Sequence, residues 1–365
     1  MKKSIVAITL ALVLLLFGGC SCNQKTILSF NKGWDANESS SVSNRTTETA
    51  VYKVSYTEDF ESGDKYTYKK SDTLKEVLSM AVDGTYSYEI KVIDQSDLTE
   101  KAKQSELITS STATEKPAVI HLTTEFNVNS TYTPKNGTPQ TENDIIKTDS
   151  FFFRTDLSLA PIYSITEYMS SAVALKTENE TTVPEITVYK FVKSIIYNNA
   201  SYTIKTFDYD AYQANNQVEP IETADYEYTY RTVIDNSALL FATRNVEIAD
   251  EGYKSLPVVS YTYGEALNLK FTNYLDGSEN ITVKINQAQE KALSVAVDRI
   301  AFGIDATNTG REQLVFIQKE AVKEEQTEIL KDKALMIKYV EPLTDYSSYN
   351  CLGALVYTLS EIQYS

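Results

Sequence analysis

Cysteine is scarce in this chain. There are three in 365 residues, and two of them, Cys20 and Cys22, sit close together near the N-terminus. Only Cys351 falls in the body, so no disulfide framework staples it and the fold must rest on its own core. Histidine is scarcer still: His121, in "AVIHLTTEF", is the single one. A Ser-His-Asp relay would have to run through it, and there is no G-x-S-x-G elbow to present the serine. One histidine and one body cysteine are also too few for a zinc site. Neither G-x-G-x-x-G nor a phosphate-binding G-x-x-x-x-G-K-[ST] occurs, so no nucleotide cofactor is expected. Positive charge is in the minority, with 34 basic against 50 acidic residues and a net charge of −16. Such a body repels phosphate backbones and anionic headgroups, which argues against nucleic acid as a partner.

Long apolar runs are missing too, apart from one. Lys2 and Lys3 precede Ile5–Phe17, which is apolar except for Thr9. As a helix this run is about 20 Å long, short of the ~30 Å hydrocarbon core. It has the size of a signal-peptide segment rather than a membrane span. No alanine lies between Ala11 and Ala36, so an A-x-A-like cleavage site is absent. Instead "FGGC" places two small residues directly before Cys20. This resembles a bacterial lipobox, in which the cysteine is acylated and becomes the first mature residue. Phe17 stands where that family usually has Leu or another aliphatic. The resemblance implies residues 1–19 as a lipoprotein signal peptide, and Cys20 as the lipidation site, carrying chains such as palmitate. It implies a cell-membrane anchor facing outside the cytoplasm. Loss of Lys2 and Lys3 with the signal deepens the net charge from −16 to −18.

Residues 20–50 are rich in Ser, Thr, Asn and Glu and show no period, as in a flexible tether. The sole tryptophan, Trp34, lies there; a packed side chain explains it more simply than a sugar platform. N-x-S/T triplets begin at Asn37, Asn44, Asn129, Asn136, Asn179, Asn199 and Asn280. At a bacterial address these are composition, not glycan sites.

From Val51 the chain alternates. "VYKVSYTEDF" and "GTYSYEIKVID" put apolar or aromatic residues at every second position, with Tyr86, Tyr88, Ile90 and Val92 on one face. Period two marks half-buried strands. About a dozen such runs follow, down to "ALVYTLSEIQY". Asp83-Gly84, Asn136-Gly137, Asp276-Gly277 and Thr309-Gly310 are read as turns between them. Helix-period spacing is found over Asp72–Ala81, with Asp72 as N-cap, and over "NQAQEKALSVAVDRI". The charged "QKEAVKEEQTEILKDK" is a helix or an excursion between strands. No βαβ rhythm appears. The expectation is a single mainly β extracytoplasmic domain over residues 51–365. It would be a large curved antiparallel sheet, a half-barrel or clamshell, with one or two short helices; a β-sandwich is the alternative.

Tyrosine is abundant, with 26 residues against 13 phenylalanines. A tyrosine on a strand covers apolar surface while its hydroxyl reaches water. That suits a half-exposed sheet face, and equally the lining of a cavity. Asp208 with Asp210, and Asp225 with Glu227, could hold calcium or serve acid–base chemistry, but surface acidity explains them more cheaply. Cys351, in "YNCLGALVY", fits a small buried hydrophobe.

The segments "SFFFRTDLSLAPIYSITEY" and "CLGALVYTLSEIQY" resemble strand pairs of lipoprotein-carrier-like half-barrel domains. The resemblance lies in order and texture and transfers no functional residue. It implies a non-enzymatic binding module holding a lipid, a lipoprotein or another apolar ligand in a concave sheet. A structural or interaction lipoprotein of the cell envelope is the competing class, with a carboxylate-based envelope hydrolase third. No cofactor or metal is expected.

The lipid anchor has a direct test. Cys20→Ala should abolish incorporation of a fatty-acid analogue and leave the signal uncleaved. Unchanged labelling would exclude Cys20 as the acylated residue.

Overall fold

A computed structural model describes residues 47–109, 119–155, 158–178, 181–215, 217–228, 233–244, 254–261, 266–304, 312–325, 327–330, 334–344 and 350–365. Cys20, Trp34 and Thr309-Gly310 lie outside the described residues. The strands are β1 (Glu48–Thr57), β2 (Asp59–Ser62), β3 (Tyr66–Lys69), β4 (Leu78–Ile93), β5 (Val119–Pro134), β6 (Gln140–Thr155) and β7 (Ser158–Glu178). They continue with β8 (Thr181–Tyr197), β9 (Ser201–Phe207), β10 (Glu222–Glu227), β11 (Ile234–Asp235), β12 (Lys254–Val259) and β13 (Ala266–Ile285). The last six are β14 (Lys291–Ile304), β15 (Gln313–Gln318), β16 (Val322–Glu324), β17 (Thr327–Leu330), β18 (Met336–Thr344) and β19 (Cys351–Tyr364). Four short helices interrupt them: α1 (Asp72–Lys75), α2 (Glu106–Thr109), α3 (Tyr209–Ala214) and α4 (Leu239–Thr243).

The fold is mainly β, as the alternation predicts. Among the described residues, fifteen strands join in one sheet, in the order β10-β9-β8-β7-β6-β5-β4-β1-β19-β18-β15-β14-β13-β12-β11. Neighbours are antiparallel except the β11–β12 pair. The sheet curls on itself in two places. The end of β13 pairs with β19 through Lys284↔Glu361 and Ile285↔Ile362, closing β19, β18, β15, β14 and β13 into a ring. At the other bend, β11 reaches β7 and β8, which stand far from it in strand order. Asp235 at the end of β11 accepts hydrogen bonds from Ser164 Oγ (2.6 Å) and from Tyr197 (2.5 Å). Lys193 Nζ on β8 donates to the carbonyl of Tyr261, 2.8 Å away. A sheet this wide must coil or fold back, because each strand is rotated relative to its neighbour.

The main core lies inside the curl. Its buried members include Tyr52, Ile90, Leu122, Phe271, Phe302, Val315, Tyr339 and Leu359, with Leu239, Phe241 and Ala242 supplied by α4. The sheet therefore wraps a helix. Arg244, just past α4, fixes it there. Its guanidinium donates to both carboxylate oxygens of Glu48 at 2.5 and 3.2 Å, and Tyr88 donates to the same carboxylate at 2.6 Å. Both side chains of the ion pair are 1% exposed.

Several local expectations are overturned. The body starts at least three residues before Val51: β1 begins at Glu48, and Thr47 exchanges backbone bonds with Ser365 at 2.9 and 3.0 Å. An acidic residue looked like tether, yet a buried arginine makes it core. The helix expected over Asp72–Ala81 shrinks to the four residues of α1, capped by Ser71 and not by Asp72. One turn cannot propagate alone, and from Leu78 the chain is claimed by pairing with β5. The second expected helix is strand β14, whose Leu293, Val295 and Val297 are buried at period two. Its turn is made by Asn286 and Gln287, both at positive φ (49° and 61°). The charged excursion forms the β16–β17 hairpin. Asn136-Gly137 lies in the β5–β6 turn, but Asp83-Gly84 and Asp276-Gly277 lie inside β4 and β13. Gly84 is needed for close strand approach, since a Cβ there would sit 2.3 Å from the carbonyl oxygen of Asn127.

Arg244→Met should strand the Glu48 charge in the core and cost about 3–5 kcal/mol in chemical denaturation. The double variant Glu48→Gln with Arg244→Met should recover most of that loss. A single variant as stable as the parent would show that the pair does not anchor α4.

Candidate functional site

The inner sheet face carries an aromatic stripe that the registers line up strand by strand. Tyr52 on β1 faces Tyr86 on β4, and Tyr86 faces Phe126 on β5. Phe126 faces Ile146 on β6, Ile146 faces Tyr168 on β7, and Tyr168 faces Phe191 on β8. Directly opposed side chains on one face interact across strands. Tyr52 and Tyr86 have ring centroids 5.8 Å apart, and Tyr168 stacks on Phe191 at 4.6 Å and 4°. Tyr261 closes over the far end, 6.1 Å from both.

Exposure changes along the stripe. Tyr52 is fully buried, with its hydroxyl on the Met336 carbonyl at 2.9 Å. Tyr86, Phe126, Ile146, Tyr168, Phe191 and Tyr261 are only half-buried. On the β18 side, Tyr357 packs against both Tyr86 (5.9 Å) and Phe126 (6.1 Å). Its hydroxyl donates to the half-buried Glu341 at 2.8 Å. Burial pushes the Glu341 carboxyl above its ordinary range, and the Tyr357 hydrogen bond opposes that rise. Burial also raises the Tyr261 hydroxyl, with Tyr168 and Glu341 adding to it, so the phenol stays protonated. The stripe thus offers flat apolar surface with the Glu341 carboxyl at its rim and the Lys193 ammonium 5.1 Å from the Phe191 ring centroid.

The hollow beside α4 does not offer comparable room. Tyr86, Tyr88, Leu122, Phe241, Arg244 and Met336 line a pocket of about 10 Å³, at the lower limit for a single water. Among the described residues the concavity next to this helix is filled. Any apolar ligand would lie on the half-open stripe, not in a chamber there.

The polar residues singled out in the sequence are dispersed. His121 stacks on Phe151 at 4.6 Å on the opposite face and hydrogen-bonds Asp149. Asp208 and Asp210 are not on a strand: Asp208 caps α3 through Ala211 N (2.8 Å), and Asp210 faces Lys190 at 3.8 Å. Asp225 accepts from Thr203 at 2.6 Å, and Glu227 stands exposed on the same strand, β10. Among the described residues no group of three or more His, Cys, Asp or Glu could hold a metal. Cys351 packs against the main core. Burial raises its thiol, with a hydrogen bond from Gly353 opposing, so it is no ready nucleophile. Sequence alternation put Tyr86 on one face with Tyr88, Ile90 and Val92, and all four lie in or against the main core. It missed Phe126, Tyr168 and Phe191 as a set, because cross-strand register is not visible in one strand's alternation.

No family model and no curated protein matches the chain. Among solved structures, the chain is similar to the crystal structure of a β-barrel-like protein of a domain of unknown function, DUF1849, from Brucella abortus. The TM-score is 0.40 at 8% identity, over 88% of this chain and 98% of that one.

The raised Glu341 makes a signed prediction. Between the unfolded and the higher folded value, the folded chain keeps a proton that the unfolded chain has released. Stability from this group therefore falls as pH rises through that window. Glu341→Gln should flatten the fall, so its stability relative to the parent should grow as pH rises past the ordinary glutamate value of about 4 in urea titrations. A constant difference would place the carboxyl in its ordinary range.

Proposed function

We propose that this chain is a non-enzymatic, lipid-anchored protein of the cell envelope. It faces outside the cytoplasm and binds an apolar ligand, such as an acyl chain of a lipid or lipoprotein, along the aromatic stripe. The carrying observation is the unbroken register row Tyr86–Phe126–Ile146–Tyr168–Phe191, half-buried on the inner face. Rings left partly exposed across several strands keep apolar surface in water that a ligand would cover, at about 25 cal/mol per Å² covered. The shape suits an extended chain lying across the strands, and the nearby Glu341 carboxyl disfavours an anionic head at that end.

The anchor supports the same reading. One acyl chain holds a protein marginally, and two or three hold it firmly. A multiply acylated Cys20 would keep the sheet within tether's reach of the bilayer that supplies such ligands.

The test is mass spectrometry of bound lipid on the gently purified full chain, paired with titration by a fluorescent fatty acid. The parent should carry lipid or bind the probe. Tyr168→Glu should lose both while keeping a cooperative unfolding transition. A parent that carries no lipid and ignores the probe would remove this reading and favour a structural or interaction role in the envelope.

A further inference from the structure

On the opposite face of the same wing, the sheet and two covering segments enclose a second pocket, of about 230 Å³. Its floor comes from three neighbouring strands: Tyr163 on β7, Ser194 and Ile196 on β8, and Lys205 and Phe207 on β9. One wall is the turn bearing Lys101 and Gln104, held down by Leu98 and Ala102, which pack with Phe151, Phe153 and Tyr163. The other wall is the stretch Gln217–Pro220 ahead of β10.

Two features of this pocket have no explanation in folding. The first is charge. Lys101 lies over the rings of Phe207 (5.8 Å) and Tyr212 (5.4 Å), and among the described residues neither Lys101 nor Lys205 forms an ion pair. Among the described residues most lysines do find a carboxylate, as Lys69, Lys70, Lys135, Lys176 and Lys319 do. With Glu219 as the one carboxylate in the lining, the pocket keeps an excess of one positive charge. Burial lowers the Lys101 ammonium, and Lys205 lowers it further, as expected of cations with no anion between them. The second feature is Tyr163. It is 4% exposed, and its buried hydroxyl makes no close hydrogen bond, with the Ser194 hydroxyl of the same floor as its nearest polar neighbour. Leaving a buried donor unmade is costly, so such a group calls for a partner.

We propose that this pocket binds a small organic carboxylate with an apolar body. Lys101 and Lys205 would meet its charge, the Tyr163 hydroxyl would donate to it, and Phe207, Ile196 and Val218 would cover the rest. A monoanion balances the excess charge, whereas a bare inorganic anion would leave the apolar lining uncovered. The site lies across the sheet from the aromatic stripe and stands or falls without it.

Isothermal titration of the full chain with benzoate, benzamide and inorganic phosphate tests this. Benzoate should bind, and benzamide and phosphate should not. Lys101→Gln and Lys205→Gln should each weaken benzoate about tenfold, and Glu219→Gln should tighten it. Tyr163→Phe should weaken binding while leaving the thermal midpoint unchanged or raised, because it removes an unmade hydrogen bond; a merely structural tyrosine would lower the midpoint. Absence of benzoate binding, binding of phosphate in its place, or benzoate affinity unmoved by both lysine substitutions would overturn the proposal.

Discussion

The buried pair between Glu48 and Arg244 holds the architecture together. A curled sheet needs something inside the curl, and α4 is too short to hold itself there. Its five residues make barely more than one turn, and an isolated helix of that length does not persist in water. Arg244 joins it to the first strand of the body and, through the Tyr88 hydroxyl, to β4. Removing either charge leaves the other in a low-dielectric interior, which is why such pairs are costly to break even when they add little net stability. The pair also commits Glu48, three residues ahead of Val51, to the core.

A second buried carboxylate does the same job at the other bend. Asp235 gathers Ser164, Tyr197 and the backbone and side chain of Ser237. The inner face of the β5–β8 wing is unusually polar for a covered surface, with Thr148, Ser150, Ser164 and Thr166 all buried. These hydroxyls are satisfied locally: Thr148 with Thr166 at 3.2 Å, Ser150 on the Leu122 carbonyl at 3.3 Å, and Ser164 on Asp235. The aromatic stripe runs one residue pair away from this polar band. The wing therefore presents two adjacent surfaces on one face, a polar one consumed in holding β11 and an apolar one left partly open. That division confines the partly open apolar surface of this face to the stripe.

Period-two alternation made the strands legible, and with them the fold class. Tyr86, Tyr88 and Ile90 do share the face their spacing implies. Boundaries and partners were not legible. Leu74, Val77 and Leu78 carry helical spacing, but β5 offers the stretch from Leu78 a full ladder of backbone bonds, and long-range pairing wins over a weak local preference. Asp-Gly signals a turn only where the chain has no partner on either side. At Gly84 the same missing side chain lets two strands approach closely. The outer pocket left no trace in the sequence, since Lys101, Tyr163 and Lys205 are far apart along the chain; Tyr163 and Lys205 come together through the β7–β8–β9 pairing, and Lys101 through the packing of Leu98 and Ala102 on that sheet.

The two ends of the sheet indicate why binding should use its faces. A free edge offers unpaired backbone groups to any passing strand, and proteins blunt such edges. One end here is β11, two residues long and buried at both positions. The other is β10, which turns Glu222, Asp225 and Glu227 to solvent. An approaching strand would meet a row of carboxylates on a chain already at −16, so a second copy is repelled where it would otherwise add on. With one edge covered and the other acidic, the surfaces left open are the aromatic stripe on the inner face and the lysine-bearing pocket on the outer one. Those surfaces differ in chemistry, one flat and apolar and the other small and cationic.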